Sequence, residues 1–195
     1  MKRLFDIIFS IIIILLGLPF FIIISILILF DGDMNIFFIQ ERVGKNKNTF
    51  KLYKFRSMKS NSEKNGQITI GAKDSRITKI GYYLRKYKID EFPQLLNVLM
   101  GQMSIVGPRP EVDKYVKLYS NEQEQVLSVK PGLTDLASIS YFEENKLLGK
   151  SNNPEETYIS EVMPEKIKLS LEYINNQSFI NDMKIILSTI KRILQ

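Results

Sequence analysis

The chain has 195 residues, with 27 Lys and Arg against 21 Asp and Glu, a formal net charge of +6, and neither Cys nor His. This length suits one domain with a sizeable core. Without Cys or His, disulfides, thiolate or imidazole zinc sites, and Ser-His or Cys-His nucleophile pairs are excluded, so covalent or acid–base chemistry must use Asp, Glu, Lys, Tyr, Ser or Thr. Any metal is expected to be a hard, oxygen-ligated ion, Mg²⁺ or Mn²⁺.

An uncharged apolar segment runs from Ile7 to Phe30. As a helix it would be about 36 Å long, enough to cross a hydrocarbon core of about 30 Å. Pro19 lies at its middle and predicts a kink, because proline removes a helix hydrogen bond and clashes with the preceding turn. A straight single-pass anchor is one interpretation. A re-entrant helix broken at Pro19, with Ser10 or Ser25 as local donors at the break, is the other.

The charges on the two flanks favour the re-entrant interpretation. Lys2 and Arg3 precede the apolar segment, and residues 42–59 carry many cations and no acid. The positive-inside rule would keep both flanks cytoplasmic, which a straight crossing cannot satisfy. The sequence therefore predicts a membrane anchor over residues 1–31 and a cytoplasmic-face domain over residues 32–195.

Short strands are expected directly after the anchor. Alternating apolar residues over 36–58 predict a hairpin that turns at Gly44. Residues 60–66 read as a polar loop, and Gln67–Gly71 as another short strand.

Helical patterns dominate the rest of the chain, over 76–88, after Asp90 as far as Gly101, and over 111–128, 155–175 and 179–194. The last of these is amphipathic and suits either core packing or an interfacial position on a membrane. The fold class is therefore α+β, mostly helical, with small β elements and amphipathic helices.

The adjacent carboxylates Asp90 and Glu91 are the strongest candidates for chemistry. Asp90 is predicted to stand at the N-cap of the helix that follows, with Pro93 in its first turn. Capping alone would explain a single Asp there. Two adjacent carboxylates beside several cations, including Arg85, also describe an anionic nucleophile next to a phosphate site.

Two further arginines are candidate phosphate ligands. Arg109 stands between Pro108 and Pro110, so its guanidinium projects from a stiff turn and suits bidentate phosphate binding. A structural turn with a solvated Arg is the alternative. Arg76 is a second candidate.

Several segments together resemble the bacterial sugar transferase family, whose members are monotopic polyprenyl-phosphate phosphoglycosyl transferases. The likeness covers nearly the whole chain. The segments that carry it are Lys2–Asp6, Gln40–Gly44, Tyr53–Met58, Lys88–Leu99 and Ser104–Pro110. Members often have Ser-Pro at the membrane break where this chain has Leu18-Pro19.

The resemblance implies a re-entrant membrane hairpin at the bacterial inner membrane, with the catalytic domain on the cytoplasmic face. It also implies Mg²⁺ dependence and a two-step transfer of a phosphosugar from a UDP-sugar to polyprenyl (undecaprenyl) phosphate. Asp90 would be the nucleophile that carries the phosphosugar, and Glu91 would bind Mg²⁺ or assist the acceptor. Arg85 and Arg109 would hold phosphates, and Lys54 and Arg56, which lie in a matching segment, would line the site. Arg76 is a candidate phosphate ligand from its own segment alone.

Other classes of function explain less of the sequence. A membrane-anchored binder of nucleic acid or acidic lipid would account for the positive charge but not for Asp90-Glu91 or the Arg109 turn. A multi-pass phosphotransferase would need several membrane spans, and the sequence has one. We therefore expect the partners to be a UDP-sugar, polyprenyl phosphate and membrane lipid, and no nucleic acid.

Overall fold

The computed structural model describes residues 1–31, 35–60, 62 and 74–195. Most of these residues are helical, and the strands form two small two-stranded sheets. The helices are α1 Lys2–Phe30, α2 Lys79–Lys86, α3 Gln94–Leu99, α4 Asp113–Val116, α5 Leu136–Ser140, α6 Glu144–Leu148, α7 Pro154–Thr157, α8 Met163–Asn175 and α9 Phe179–Leu194. The strands are β1 Phe37–Val43, β2 Thr49–Phe55, β3 Ser104–Val106 and β4 Gly132–Thr134. The predicted fold class, mostly helical with small β elements, is confirmed.

Strands β1 and β2 form the predicted hairpin. They pair antiparallel, with Phe37 opposite Phe55 and Val43 opposite Thr49. The turn between them is a short 3₁₀ segment after Gly44. The strand predicted at 67–71, and most of the predicted polar loop at 60–66, lie outside the described residues.

Strands β3 and β4 form a parallel pair that the sequence pattern does not predict. Gly107 and Gly132 bring the two backbones together at this point. A Cβ atom built on Gly132 would lie 2.1 Å from the nitrogen of Gly107, which no side chain can tolerate. Glycine is therefore required here by close backbone approach.

Helix α1 is one helix from end to end, with Pro19 inside it. By length and composition it can cross a membrane, and only 6 % of its most apolar window is buried. The structure thus has a single helix here, and the re-entrant hairpin stays a prediction. Ser25 donates to the carbonyl of Phe21 (2.7 Å), and Ser10 has no hydrogen-bond partner among the described residues. Neither serine serves the backbone carbonyl freed by Pro19, so that part of the prediction is wrong.

Both ends of α1 pack against the rest of the protein. Near its start, Asp6 and Ser10 are buried, and near its end Ile28 is 3 % exposed and packs with Phe55 and Leu84. The buried positions share one face of the helix, while the opposite face exposes a long row of Ile, Leu and Phe side chains. Because α1 is about 43 Å long, contact at both ends means that it does not project away from the body.

Polar side chains at the start of α1 attach it to three separate elements. Arg3 donates to the carbonyls of the last two residues of α3 (2.5 and 2.9 Å). Asp6 accepts the hydroxyl of Ser104 (2.9 Å) and the backbone N–H that follows it (3.1 Å). Lys2 pairs with buried Asp182 on α9 (2.5 Å). The helix predicted to lie in a membrane is thereby fixed to α3, which begins four residues after Asp90, and to β3, which ends three residues before Arg109.

The helix predicted over 111–128 is wrong as a continuous helix. Helix α4 ends at Val116, and a separate 3₁₀ segment covers Gln123–Ser128. Between them, Ser120 and Gln123 accept each other's backbone N–H through their side chains (3.3 and 2.9 Å). This reciprocal capping starts a new turn, so the earlier helix cannot continue through it.

The predicted helix over 155–175 is confirmed as a continuous helical stretch, with a π-helical turn at Tyr158–Val162 between α7 and α8. Pro164 at the start of α8 has no N–H to donate, which accounts for the altered hydrogen bonding in the turn before it.

The helix predicted over 179–194 is also confirmed, as α9. It buries Asp182, Ile185 and Ile186 and exposes a row of apolar side chains on its other side. Core packing is therefore part of its role.

Candidate active site

Asp90 and Glu91 lie in a 3₁₀ turn, Ile89–Glu91, directly before α3. The backbone enters this turn through Lys88, whose φ of +56° is in the left-handed region. Both carboxylates are buried, at 5 % and 8 % exposed. The prediction that Asp90 caps α3 is wrong: the turn delays the helix until Gln94, and the N-cap position falls on Pro93.

Glu91 is held by two cations. The guanidinium of Arg109 binds both of its carboxylate oxygens (2.5 and 3.2 Å), and Lys54 Nζ lies 3.1 Å from Oε1. Burial opposes ionisation of Glu91, but Arg109 and Lys54 outweigh it and hold its pKa well below the usual range. Glu91 is therefore a fixed anion with both oxygens engaged.

Asp90 has a different environment. Its Oδ1 is buried and has no hydrogen-bond partner in the part of the chain that the structure describes. Burial raises the pKa of Asp90 above its usual value, against the lowering effect of Lys54, and Glu91 raises it further. An unpaired, buried carboxylate oxygen costs free energy in the folded state, and such groups concentrate at functional sites.

The two carboxylates line an open cleft at the protein surface. Five cations and three carboxylates face it among the described residues, so the cleft is net positive and suits an anionic ligand. The lining residues are Lys54, Arg85, Lys88, Asp90, Glu91, Arg109, Ser138, Tyr141, Phe142, Glu144, Asn145 and Lys166.

Arg109 is positioned by its own backbone. Its N–H donates to Asp135 Oδ2 (3.2 Å), and the other oxygen of Asp135 accepts the N–H of Ser138 (2.7 Å) and so caps α5. Asp135 is 1 % exposed. One buried carboxylate thus connects the Arg109 turn to the helix that forms another side of the cleft.

A second open depression adjoins the cleft at Arg109. An ion pair between Arg42 and Glu111 (3.0 Å) lies along it, and Tyr158 donates its hydroxyl to the same glutamate. Lys166 lines both cavities. Together they form a polar depression that can hold a ligand longer than one phosphate group.

The structure brings five of the predicted site residues together: Asp90, Glu91, Lys54, Arg85 and Arg109. It places Arg56 and Arg76 elsewhere, and neither of them lines the cleft. Their roles stay predictions.

Arg56 donates to Ser60 Oγ (2.5 Å) and to the carbonyl of Phe37 (3.4 Å). Arg76 makes a bidentate ion pair with Asp74 (2.6 and 2.9 Å for the shortest contacts), which raises its pKa.

Sequence reasoning missed the side of the cleft that is formed by residues after 135. The residues concerned are Ser138, Tyr141, Phe142, Glu144, Asn145 and Lys166. They come from α5, α6, α8 and the turn between α5 and α6, which carry no recognisable motif. Only their tertiary packing brings them to Asp90.

Comparisons with known proteins give this geometry a context. A putative undecaprenyl-phosphate N-acetylgalactosaminyl 1-phosphate transferase of Bacillus subtilis is 46 % identical over 62 % of this chain and 68 % of its own length. A UDP-N-acetylgalactosamine-undecaprenyl-phosphate N-acetylgalactosaminephosphotransferase of Aeromonas hydrophila is 36 % identical over 99 % of this chain and 43 % of its own. A UDP-glucose:undecaprenyl-phosphate glucose-1-phosphate transferase of Klebsiella pneumoniae is 35 % identical over 97 % and 39 %.

The chain therefore spans less than half the length of two of these three relatives. The family described as bacterial sugar transferase matches it over residues 1–195. The segments that hold Asp90, Glu91, Lys54 and Arg109 in one cleft are among those that carry the resemblance to this family. By this match over its whole length, the chain belongs to the bacterial sugar transferase family.

Proposed function

We propose that the protein transfers a sugar 1-phosphate from a UDP-sugar to polyprenyl (undecaprenyl) phosphate, through a covalent phosphosugar on Asp90. The products are polyprenyl-diphosphate-sugar and UMP, and the reaction is the first membrane step of a bacterial glycan pathway. The observation that carries the proposal is the unpaired, buried carboxylate oxygen of Asp90 in a cationic cleft. The relatives named above are transferases of this class, and their sugars differ, so the sugar is left open.

In the first step, a carboxylate oxygen of Asp90 attacks the phosphorus that bears the sugar. The new bond joins that oxygen to phosphorus, and the bond from phosphorus to the bridging oxygen breaks. UMP leaves with the electron pair, so no proton is needed. Asp90 suits this role because its Oδ1 makes no competing hydrogen bond, whereas both oxygens of Glu91 are bound by Arg109 and Lys54.

In the second step, an oxygen of the lipid phosphate attacks the same phosphorus. The bond from phosphorus to Asp90 breaks, and the carboxylate returns to its starting state. Lys54, Arg85 and Lys88 interact electrostatically with Asp90 and can stabilise the charge that develops on the transferred phosphoryl group in both steps.

Mg²⁺, or Mn²⁺ in its place, fits the residues present when a substrate's phosphates complete its coordination. No group of three or more carboxylates is placed for a metal within the described ranges. Mg²⁺ commonly binds through one or two carboxylates together with substrate phosphates and water. Asp90 would hold the ion through the carboxylate oxygen that does not attack phosphorus, and the Glu91 side chain would do so only by releasing a cation. When bound, Mg²⁺ would neutralise charge on the diphosphate.

We further propose that the protein is monotopic at the bacterial inner membrane, with its body on the cytoplasmic face. The apolar face of α1 needs a nonpolar environment, because its exposed Ile, Leu and Phe side chains far exceed an ordinary surface patch. Packing of both ends of α1 against the same body supports a helix that enters and leaves by one leaflet.

The test is UMP release by the purified protein with Mg²⁺, undecaprenyl phosphate and each of a panel of UDP-sugars. At least one UDP-sugar should yield UMP together with a lipid-linked diphosphate sugar. Asp90→Asn, which removes the nucleophilic oxygen, should fall to background. No release with any UDP-sugar, or equal release by the variant, would reject the proposal.

A further inference from the structure

Phe142 lies in the turn between α5 and α6 and contacts two cations. Lys88 Nζ is 5.2 Å from the centre of its ring, and the guanidinium carbon of Arg192 is 5.3 Å from the same point. Both distances are within the range of cation–π attraction. The two positive charges therefore lie no farther apart than the sum of those distances, next to one aromatic ring at the edge of the cleft.

These residues connect the catalytic cleft to α9. Lys88 and Phe142 line the cleft together with Asp90, and Arg192 belongs to the last turn of α9. Lys88 also interacts electrostatically with Asp90 and Glu91. Arg192 is the point at which α9 reaches the rim of the cleft.

Helix α9 also continues the apolar surface of α1. Phe179 at its start packs edge-on against Phe5 of α1, with ring centres 5.4 Å apart. From there α9 exposes a row of apolar side chains, which are Phe179, Ile180, Leu187, Ile190 and Leu194. Helices with an exposed apolar face flanked by cations lie in the membrane interface. This row continues the apolar surface of α1 for about 20 Å along α9, and Arg192 lies in the last turn of the same helix, on the side that also buries Ile185.

We propose that Lys88, Phe142 and Arg192 receive the phosphate of the lipid acceptor at the membrane-facing mouth of the cleft. This inference rests on the proposed function. Arg192 and Lys88 attract the phosphate by their charges, while the prenyl chain stays in the lipid that the exposed apolar side chains of α1 and α9 contact. Phe142 keeps the two cations beside each other without pairing either with a carboxylate.

The chemistry of the ligand suits these groups. A phosphate monoester carries about −1.5 to −2 charges at pH 7 and three acceptor oxygens. The planar guanidinium of an Arg and the compact ammonium of a Lys can both donate hydrogen bonds to these oxygens. The acid on this turn is Glu143, whose exposed side chain takes its hydrogen bond from Lys146 and interacts more weakly with Arg192. Arg192 is thus not held by that acid.

Arg192 also has a purely structural interpretation. A cation in the last turn of a helix interacts favourably with the helix dipole. That interpretation places the effect of a substitution in thermal stability. If Arg192 binds the acceptor, the substitution instead raises the KM for the lipid phosphate, so enzyme kinetics distinguish the two interpretations.

The experiment measures KM for donor and acceptor in Arg192→Gln, with Lys191→Gln as the matched control on the same helix. The full chain is assayed with undecaprenyl phosphate in phosphatidylglycerol vesicles and with a water-soluble short-chain prenyl phosphate. The inference predicts that Arg192→Gln raises the KM of both acceptors about tenfold, with a smaller change in donor KM and in the control. Arg192→Lys should recover part of the loss, and Phe142→Leu should raise the acceptor KM as well.

Four results would overturn the inference. An equal effect of Lys191→Gln would mean general attraction to the membrane. A rise confined to the vesicle assay would mean weaker attachment and not phosphate recognition. Weaker inhibition by inorganic phosphate with an unchanged acceptor KM would mean a site for free phosphate. A wild-type protein that releases no UMP from any UDP-sugar would reject the proposed function itself, and this inference with it.

Discussion

At the residue scale, two neighbouring carboxylates differ because their partners differ. Glu91 lies between Arg109 and Lys54 and is held as an anion, while Asp90 Oδ1 has no hydrogen bond within the described chain. The same burial that raises the pKa of one is overcome at the other by direct ion pairs. This contrast is the reason why we propose Asp90 as the nucleophile and Glu91 as a fixed anion that holds Arg109 and Lys54 in place.

Asp90→Asn should not lower stability at neutral pH and is expected to raise it. Asp90 does not cap α3, and its raised pKa means that its ionised form is disfavoured by folding. The penalty is absent below the ordinary pKa of 3.8 and appears as the pH rises through the higher folded value. It amounts to roughly 1.4 kcal/mol for each pKa unit.

Denaturant unfolding of both proteins at pH 7 and at pH 3.5 measures this difference. The stability advantage of the variant should be present at pH 7 and shrink at pH 3.5. A variant that is less stable at pH 7 would show that Asp90 has a structural partner.

Lys54 should set the alkaline limit of activity. Burial lowers its pKa to about 8, and Glu91 only partly offsets this. As the pH rises through 8, Lys54 loses its charge, so kcat/KM should fall there. Lys54→Arg stays protonated and should move the alkaline limb upward, even if its maximum rate is lower. If the alkaline limbs of the wild-type and Lys54→Arg profiles coincide, the group that titrates there is not Lys54.

At the element scale, regular periodicity and turn residues were enough to predict the β1–β2 hairpin, α9 and the stop at Gly101. Gly101 has a φ of +81° directly after α3, which only glycine adopts without strain. The β3–β4 pair was not predictable, because three-residue strands carry no period and parallel pairing depends on distant segments. The start of α3 was misplaced because the 3₁₀ turn after Lys88 depends on a left-handed residue that is not a glycine.

The same distinction holds for the site. Asp90, Glu91 and Arg109 were found through local motifs, whereas Lys166 and Phe142 reach the cleft only by packing of the later helices. Arg76 shows the converse. A plausible basic residue in a loop turned out to be bound to a neighbouring acid, Asp74.

Gly132→Ala should disrupt the site through β3 and β4. The added Cβ would lie 2.1 Å from the nitrogen of Gly107, so the strands must separate and the Arg109 turn must move. We expect a loss of roughly 2 kcal/mol or more of stability, together with most of the activity. Gly149→Ala is the control, since Gly149 is exposed and already has helical angles, with φ −67° and ψ −12°. A Gly132 variant as stable and active as this control would contradict the close approach.

At the scale of the whole molecule, α1 is attached to the rest of the protein by side-chain contacts at both of its ends. Lys2, Arg3 and Asp6 bind α9, α3 and β3, and Ile28 packs beneath α2. These contacts place the apolar face of α1 and the mouth of the cleft on one structural unit. Such coupling suits an enzyme that takes one substrate from water and the other from lipid.

Both the N-terminus and the body should lie on the cytoplasmic side. The natural chain has no cysteine, so one cysteine added before Met1 and, in a second variant, Lys168→Cys report each position separately. Lys168 suits the second site because its side chain is 78 % exposed. An impermeant thiol reagent should label neither in intact cells and both after permeabilisation. Labelling of the N-terminal cysteine alone in intact cells would establish an ordinary spanning helix.

Intact-protein mass spectrometry can detect the covalent phosphosugar on Asp90 that the proposed mechanism requires. The purified protein is incubated with Mg²⁺ and the UDP-sugar that supports UMP release, without any lipid acceptor. The account predicts a mass increase equal to one phosphosugar, mapped to the peptide that contains Asp90, absent from Asp90→Asn and discharged by undecaprenyl phosphate. An adduct that maps to Glu91, or that still forms in Asp90→Asn, would contradict it.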